Sequence, residues 1–384
     1  MENSEKPDNV NQPGKSLKTG ALIHGGGIFQ RAAAAGLEVE EIIDFSANIN
    51  PLGLPPGVDK VLRESLAHLQ HYPEIDGQSL RRAAAAKLGL EPSHLLVGNG
   101  STALIYLLAR VLRPRRAVLW SPTFSEYGRA LELASCRVEN LISWRDGVNL
   151  EIADLLGKSL KLRPDIVFIC NPGNPTGALW SRTELETVIG ELAAAGIVCV
   201  IDEAFIDFTG SDNSLVDRVV EFDNLLVLRS LTKIYALAGL RCGYLVGSRE
   251  LVDHLAPFQE PWSLNYPALR AATAALEKNH DFLKDTVSFI RRERTRLTKE
   301  IAGTGYLTPY PAAANYILAR LDGGYRGEDL RDHLFREARI MLRLCGDYVG
   351  LGNSYVRFAV RTAAENTRLV GALRQFGDNS AVVE

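Results

Sequence analysis

The segment that most constrains the fold reads Leu225-Leu226-Val227-Leu228-Arg229-Ser230-Leu231-Thr232-Lys233. It opens with an apolar run that is typical of a buried strand, and it ends in polar residues that suit the loop after that strand. Open α/β sheets bind ligands outside the carboxyl ends of their strands. A lysine held there in an apolar, partly cationic cleft has a lowered pKa and readily forms a Schiff base. The segment therefore predicts an α/β fold with Lys233 as the catalytic residue.

Similar apolar runs recur along the chain and alternate with helix-like segments from about residue 71. The other predicted strands of this part of the chain lie at residues 95–97, 117–120, 166–169, 197–201 and 243–246. These runs are too short for helices and are bounded by Gly, Pro, Asn or Asp, as buried parallel strands are. The alternation predicts βαβ units and a mostly parallel central sheet flanked by helices.

The chain has 384 residues, enough for one large domain with a smaller one attached. A long helical stretch follows Pro267 and ends near Ala302, and strand-like and helical segments alternate beyond it. We predict a flexible tail over residues 1–20 and an N-terminal arm over residues 21–70 that packs on the small domain and the active site. The large domain spans residues 71–267, and residues 268–384 form a connecting helix and a small α+β domain.

Composition excludes several classes of function. The net charge of −3 supplies no basic surface for the phosphates of a nucleic acid. No apolar run approaches the roughly 18 residues of a membrane span, and the N-terminus has no signal-peptide pattern. The five cysteines lie far apart without a CxxC pair, which indicates buried, reduced thiols and no metal site. We expect a cytoplasmic protein with a small-molecule substrate, and no nucleic-acid or membrane partner.

Two further motifs follow predicted strands. Gly98-Asn99-Gly100-Ser101-Thr102 opens a helix, where backbone N–H groups and hydroxyls form an anion site. Ser230, Thr232 and Arg241 can add side-chain donors to the same phosphate. Asp202 follows the strand at 197–201, which is next to the lysine strand if neighbouring strands are sequential. A carboxylate there can pair with a protonated pyridine nitrogen.

Each motif also has an ordinary structural explanation when it is taken alone. Lys233 is then a solvated loop residue, Asp202 caps the segment that follows it, and the Gly-Asn-Gly sequence is a tight turn. Residues 171–177 are a turn-rich loop, since each of them favours turns. The order of the motifs, each at a strand end, favours a shared site.

Together these residues resemble fold-type I enzymes that depend on pyridoxal 5′-phosphate (PLP), the aspartate-aminotransferase superfamily. The resemblance covers the chain after the tail and rests on four motifs: Asn174-Pro175-Thr176-Gly177, Asp202-Glu203-Ala204, Ser230-Leu231-Thr232-Lys233 and Arg241. It implies that Lys233 carries PLP in the large domain, with the cofactor phosphate bound by Gly100, Ser101, Thr102, Ser230, Thr232 and Arg241. It further implies that Asn174 contacts the phenolic oxygen, Asp202 the pyridine nitrogen, and Phe124 the ring.

One position departs from the superfamily pattern. Phe205 stands three residues after the aspartate, where a tyrosine often donates to the phenolic oxygen, and this loss favours a reaction other than transamination. The N-terminal motifs are most similar to the threonine-phosphate decarboxylase family of cobalamin biosynthesis, which is itself similar to histidinol-phosphate aminotransferases. The similarity rests on residues 24–27 and 44–53 near the N-terminus, and it extends to residues 126–130, 202–208, 228–233 and 261–265.

The narrower resemblance implies a substrate with both a carboxylate and a phosphate. His24 and Asn48 then bind the substrate phosphate with Arg343, and Arg357 binds the carboxylate. Asn174 is a further substrate ligand. Arg361 is an equally good carboxylate ligand on charge alone. Without the family match, His24 is a turn residue, Asn48 caps a loop, and Arg343 and Arg357 are surface ion-pair partners. Tyr72 resembles the residue that reaches the cofactor phosphate of the neighbouring subunit, which implies a homodimer with shared active sites.

The expected reaction is decarboxylation of O-phospho-L-threonine to (R)-1-aminopropan-2-yl phosphate. O-phospho-L-serine competes closely, because one methyl group is worth only about 1–3 kcal/mol in an apolar pocket. Transamination of histidinol phosphate is the main alternative reaction, and the bond to Cα that lies perpendicular to the cofactor ring selects between the reactions. A regulatory domain that has lost its chemistry is disfavoured, because Lys233 and Asp202 are both present and no DNA-binding extension is found.

Overall fold

A seven-stranded sheet lies at the centre of the computed structural model, which describes residues 25–210, 213–277 and 280–380. The strands within these residues are β1 (Ile43–Asp44), β2 (Leu95–Gly98), β3 (Arg116–Ser121), β4 (Arg137–Ile142), β5 (Trp144–Arg145), β6 (Val148–Asn149), β7 (Ile166–Cys170), β8 (Val198–Asp202), β9 (Leu225–Ser230), β10 (Gly243–Gly247), β11 (Leu307–Pro309), β12 (Tyr316–Leu321), β13 (Ile340–Met341), β14 (Arg343–Leu344) and β15 (Tyr355–Ala359). The strand order in the central sheet is β2-β10-β9-β8-β7-β3-β4.

Helices cover the sheet and continue into the C-terminal part of the chain. Within the described residues they are α1 (Ile28–Ala35), α2 (Val58–Ser65), α3 (Gln78–Leu88), α4 (Gly100–Leu112), α5 (Ser125–Leu133), α6 (Ile152–Leu162), α7 (Arg182–Ala194), α8 (Leu231–Ile234), α9 (Arg249–Leu255), α10 (Tyr266–Glu277), α11 (His280–Ala302), α12 (Gly327–Ala338) and α13 (Ala363–Ser380). None of the helices in these ranges is long and apolar enough to cross a membrane.

The mostly parallel sheet that the sequence predicts is confirmed, with one antiparallel strand in it. Strands β9, β8, β7, β3 and β4 are parallel neighbours, whereas β10 runs antiparallel to both β9 and β2. The connection between β9 and β10 contains only the four-residue helix α8 and a short turn. A parallel crossover usually carries a full helix across the face of the sheet, which this connection lacks, and the chain reverses here instead.

Strand β9 begins with four consecutive apolar residues, and its two faces show why. Leu225 and Val227 belong to the hydrophobic core on one face of the sheet, and Leu226 and Leu228 belong to the core on the other face. Successive side chains of a strand point to opposite faces, so a strand covered on both sides needs an apolar residue at every position. Strand β4 was not predicted from the sequence, because it is an edge strand that mixes polar and apolar residues and stays partly exposed.

A second, four-stranded antiparallel sheet forms from the C-terminal part of the chain, in the order β11-β12-β15-β14. The N-terminal segment connects it to the lysine loop. Strand β1 pairs in parallel with β13, Phe45 O accepts a hydrogen bond from Ala359 N, and Asn50 N donates to Lys233 O at 3.0 Å. This segment therefore lies beside both Lys233 and the small sheet.

Several predicted features lie at or beyond the limits of the described residues. The predicted tail over residues 1–20 and the predicted phosphate ligand His24 are outside them. The predicted long helical stretch corresponds to α10 and α11, and residues 278 and 279 between these helices are also outside. The domain boundaries at residues 70 and 267 stay predictions.

Candidate active site

Three neighbouring strands of the central sheet end at the same edge. The last residues of β7 and β8, Cys170 and Asp202, are paired across the ladder, and β9 next to them ends at Ser230. Lys233 follows in α8. The adjacency of the Asp202 strand and the lysine strand, which the sequence argument assumed, is therefore present in the structure.

One cavity opens at this edge, and most of the predicted site residues line it. They are Asn48, Ser101, Thr102, Phe124, Asn174, Asp202, Ser230, Thr232, Lys233, Arg241, Arg343 and Arg357. They come from widely separated parts of the sequence, so the fold rather than local sequence brings them together.

Lys233 is partly buried in this cavity and has an unusually reactive amine. Burial, together with the positive charges of Arg241 and Arg357, lowers the pKa of Lys233 to about 8, although the charge of Asp202 opposes this shift. An amine with this pKa is uncharged in a substantial fraction of molecules near neutral pH. Because the uncharged amine is the nucleophile, the environment suits a lysine that attacks a carbonyl group.

Asp202 is buried and receives two hydrogen bonds. Its Oδ1 accepts from Ala204 N at 2.9 Å, and its Oδ2 accepts from the Tyr127 hydroxyl at 2.5 Å. Burial raises the pKa of Asp202, whereas both hydrogen bonds and the charge of Lys233 favour the ionised form. Tyr127 also lines the cavity. In the sequence, Tyr127 stands out only as part of the motif at residues 126–130, and nothing there indicates a role for it.

A cradle for an anion forms where helix α4 begins directly after β2. Gly100 has φ of +73°, a backbone conformation that favours glycine, and a Cβ on it would lie 2.6 Å from Nη2 of Arg241. The hydroxyls of Ser230 and Thr232 lie 2.7 Å apart in the same cavity. A guanidinium group, hydroxyls and the amino end of a helix together form a donor set that suits a phosphate.

Two further arginines reach the cavity, and both are buried rather than at the surface. Arg357 donates to Asn174 Oδ1 and to Ser46 O, the latter at 2.7 Å, and its guanidinium lies over the Tyr316 ring. Within the part of the chain that the structure describes, its Nε has no hydrogen-bond partner. Arg343 donates to Asp347 Oδ2 at 2.7 Å.

Arg361, the other predicted carboxylate ligand, lies elsewhere. It pairs with Glu365 at 2.7 Å, donates to Asp44 O at 3.0 Å, and does not line the cavity. The structure therefore separates two arginines that charge alone could not distinguish. Arg357 is the one that faces Lys233.

Two other predicted residues, Asn48 and Tyr72, have different environments. Asn48 is buried, and its Oδ1 finds no hydrogen-bond partner among the described residues, so a ligand can use it. Tyr72 is 82% exposed, stacks on Trp262 with ring centroids 4.9 Å apart, and lies outside the cavity of its own chain. This position fits a residue that serves another subunit.

The cavity also contains residues that the sequence argument did not assign to the site. Ser46, Cys170 and Tyr348 line it with Tyr127, and the Tyr348 hydroxyl lies 3.4 Å from Asn174 Oδ1. Ser46 and Tyr348 belong to irregular segments, and Cys170 has the sequence context of an ordinary core residue. No local pattern marks Ser46 and Tyr348, because packing of the N-terminal segment and the small sheet on the central sheet places them here, whereas Cys170 is the last residue of β7.

Comparison with known proteins assigns the chain to a family. A model of the family described as aminotransferase class I and II matches residues 40–373. The chain belongs to this family of enzymes. It is similar to a threonine-phosphate decarboxylase from Salmonella typhimurium, with 38% identity over 91% of this chain and 95% of that protein.

The chain is also similar to two other proteins, one in sequence and one in structure. The adenosylcobalamin biosynthesis bifunctional protein CobDQ from Leptospira interrogans is 30% identical over 91% of this chain and 40% of that protein. The crystal structure of a histidinol-phosphate aminotransferase from Clostridium acetobutylicum superposes with a TM-score of 0.81 at 29% identity, over 87% of this chain and 99% of that one. The predicted family is thereby confirmed, and the relatives include both decarboxylases and aminotransferases.

The residues of the cavity fit PLP, which these enzymes use. The donor set at Gly100, Ser230, Thr232 and Arg241 suits its phosphate, and the cradle has no room for a Cβ at Gly100. The reactive amine of Lys233 suits its aldehyde, and the buried Asp202 carboxylate suits its pyridine nitrogen.

The lowered pKa of Lys233 generates a prediction for the cofactor-free protein. Since the uncharged amine attacks the aldehyde, the rate of covalent PLP capture should rise with pH and level off above about pH 8. Stopped-flow absorbance of the bound cofactor at a series of pH values measures this rate. In Asp202→Asn the midpoint should move to lower pH, because a negative charge that raises the Lys233 pKa is gone. A midpoint near the ordinary lysine value of 10.5 in both proteins would contradict the assigned environment.

Proposed function

We propose that the chain uses PLP to decarboxylate O-phospho-L-threonine to (R)-1-aminopropan-2-yl phosphate, a precursor in cobalamin biosynthesis. Two of its relatives support this reaction and pathway, since one is named a threonine-phosphate decarboxylase and another an adenosylcobalamin biosynthesis protein. The observation that carries the proposal is the set of cationic groups around Lys233. Arg343 and Arg357 both line the cavity in addition to Arg241 of the phosphate cradle.

The three arginines account for three anionic groups. Arg241 lies against Gly100 at the start of α4 and binds the cofactor phosphate. Arg343 and Arg357 are 5% and 4% exposed. Arg343 already pairs with Asp347, whereas Arg357 donates to the neutral oxygens of Asn174 and Ser46, so its buried charge is costly without an anion nearby. A substrate that carries a phosphate and a carboxylate supplies one anion to each. O-phospho-L-threonine has both groups on a short carbon chain.

Residues in and directly after the strands of the central sheet would bind the different groups of the cofactor. Lys233 binds the aldehyde carbon, Asp202 the pyridine nitrogen, Asn174 the phenolic oxygen, and Phe124 the face of the ring. Residues 100–102, Ser230, Thr232 and Arg241 bind the phosphate. PLP supplies an extended π system that takes up the electron pair released when a bond to Cα breaks.

Arg357 and Arg343 orient the substrate for loss of CO₂. Arg357 is fixed by its hydrogen bonds to Asn174 and Ser46, so it binds the carboxylate in a defined direction. Arg343 and Asn48 hold the substrate phosphate, with His24 as a third ligand. Anchors at both ends would hold the substrate carboxylate in one orientation. The Lys233 amine is the group that would deliver a proton to Cα when CO₂ leaves.

Phe205 favours this outcome over transamination. Its ring is buried in the cavity wall against Tyr316, with ring centroids 5.0 Å apart. It cannot donate to the phenolic oxygen, so Asn174 is left as the principal donor at this oxygen. A barrier difference of only about 1.4 kcal/mol changes the ratio of two competing reactions tenfold, so one missing hydrogen bond is large enough to matter.

Transamination of histidinol phosphate is the second candidate reaction. The fold similarity to a histidinol-phosphate aminotransferase structure favours it. Histidinol phosphate has no carboxylate, however, so Arg357 would be used only by the amino acid of the other half-reaction. The decarboxylase proposal uses Arg343 and Arg357 at the same time.

A substrate panel separates the two reactions. Purified holoenzyme is incubated with O-phospho-L-threonine, O-phospho-L-serine, or histidinol phosphate with 2-oxoglutarate, and both CO₂ and glutamate are measured. We expect CO₂ from phosphothreonine, less from phosphoserine because the methyl contact is absent, and no glutamate. Glutamate without CO₂ would overturn the decarboxylase proposal.

Arg343→Met provides the matched control for the substrate phosphate. Loss of a charge-assisted bidentate contact should lower kcat/KM for phosphothreonine by about 100-fold, without lowering the residual rate with L-threonine, which lacks the phosphate. An equal loss with both substrates would show that Arg343 does not bind the phosphate.

The active enzyme is proposed to be a homodimer in the cytoplasm. Tyr72 contacts the exposed Trp262 ring, and Leu66, Leu69 and Ile75 near it in the sequence are exposed as well. Exposed apolar groups of this kind are typical of interfaces. In the dimer, the Tyr72 hydroxyl binds the cofactor phosphate of the partner chain. The five cysteines are buried and unpaired, as is usual in a reducing compartment.

Mixed dimers test the shared active site. Tyr72→Phe and Lys233→Ala should each be impaired, because one lacks a phosphate ligand and the other the catalytic amine. If the two variants are mixed and exchange subunits, half of the dimers combine one chain of each kind and contain one complete site. Activity should then rise to about one quarter of the wild-type value. Activity equal to the mean of the two parents would contradict the shared site.

A further inference from the structure

Tyr127 is a buried tyrosine whose hydroxyl has one defined direction. The ring stacks on Phe168 with centroids 5.1 Å apart and meets Phe124 edge to face at 5.7 Å. Its hydroxyl donates to Asp202 Oδ2 at 2.5 Å. Because aromatic neighbours fix the ring, the hydroxyl oxygen cannot move away from the carboxylate unless the cavity wall repacks.

We propose that Tyr127 is a positioning residue that keeps Asp202 ionised and thereby keeps the proton on the pyridine nitrogen of the bound cofactor. The inference rests on the proposed cofactor site and adds a role for a residue that does not itself touch the pyridine nitrogen. A carboxylate that accepts hydrogen bonds is stabilised in its charged form. Burial and the adjacent Asp202 charge hold the pKa of Tyr127 well above its usual value, so the phenol keeps its proton and stays a donor.

Asp202 needs this support because of its surroundings. The titratable groups facing it are Tyr127 from α5, Cys170 from β7, Lys233 from α8 and Tyr316 from β12. Burial raises the pKa of both tyrosines and of the thiol, so these three groups are uncharged. Lys233 is the cationic one of the four, and its amine is the group that would bond to the cofactor. The hydrogen bonds from Tyr127 and Ala204 do not depend on that amine and favour the ionised carboxylate more than the Lys233 charge does.

The geometry leaves room for the pyridine nitrogen on the same carboxylate. Oδ1 accepts one hydrogen bond from Ala204 N, and Oδ2 accepts one from Tyr127. Each carboxylate oxygen can accept two hydrogen bonds, so a pyridinium N–H can be added without displacing Tyr127. Tyr127 and the cofactor therefore act on the carboxylate together.

The test compares Tyr127→Phe with Tyr106→Phe. Tyr106 makes an equally short tyrosine–carboxylate contact, 2.6 Å to Glu126 Oε2, but lies outside the cavity. Both variants keep the aromatic ring and remove one hydroxyl. In the cofactor-free protein, Tyr127→Phe should shift the acid–base equilibrium of Asp202 about tenfold or more toward the acid, measured by infrared or ¹³C spectroscopy of the carboxyl group. Tyr106→Phe should leave it unchanged.

The holoenzyme supplies a second readout that packing alone would not move. With PLP labelled by ¹⁵N in the ring, the nitrogen signal of Tyr127→Phe should move toward the unprotonated pyridine value, and kcat should fall more than KM changes. A fluorinated tyrosine at position 127 is a stronger donor with the same shape. It should move the nitrogen signal in the opposite direction, which keeps the proposal testable if Tyr127→Phe folds poorly.

The outcomes distinguish this inference from the proposed function. If Tyr127→Phe binds PLP and both the carboxyl equilibrium and the nitrogen signal match those of the wild type, the inference is overturned. If the wild-type protein does not bind PLP at Lys233, the proposed function fails instead. The carboxyl measurement on the cofactor-free protein then still decides whether Tyr127 controls the ionisation of Asp202.

Discussion

Burial of the central strands on both faces is the constraint on which the site depends. Strands such as β9 are apolar at nearly every position because each face carries a hydrophobic core. Polar and ionisable side chains are therefore excluded from the strand interiors and collect where the strands end. Asp202 and Lys233 meet there, at the ends of two adjacent parallel strands. The same burial lowers the pKa of Lys233 and raises that of Asp202, so the packing that stabilises the fold also sets the reactivity of the site.

The second sheet and the N-terminal segment complete the cavity with a different kind of group. The central sheet supplies Lys233, Asp202 and the phosphate cradle, whereas Arg343 and Arg357 come from adjacent strands of the small sheet. Residues 43–50 run between the two and contribute Asn48 and the backbone oxygen of Ser46 that fixes Arg357. This division lets one cofactor site serve different reactions in a family that contains both decarboxylases and aminotransferases. In the proposed reaction, the two arginines select the substrate bond that is presented to the cofactor.

The sequence predicts the central sheet well because its physical signal is local. Six of the strands appear as short apolar runs, and their polar ends mark Lys233, Asp202 and Gly100. Edge strand β4 and the direction of β10 carry no such signal, since they depend on how neighbouring segments pack. Within the site, Tyr127 and Tyr348 look like ordinary aromatic residues, and Arg357 and Arg361 are equivalent in charge. Only the three-dimensional arrangement shows that Arg357 faces Lys233 and that Tyr127 donates to Asp202.

The proposed function requires that Lys233 is the residue that holds the cofactor. Reduction of the holoenzyme with borohydride, followed by digestion and mass spectrometry, fixes PLP to its lysine and identifies that lysine. We expect a single modified peptide, which contains Lys233. Lys87 provides a demanding alternative, because burial also lowers its pKa, although it lies outside the cavity and donates to the Tyr235 hydroxyl. Modification of Lys87, or of any lysine other than Lys233, would contradict the account.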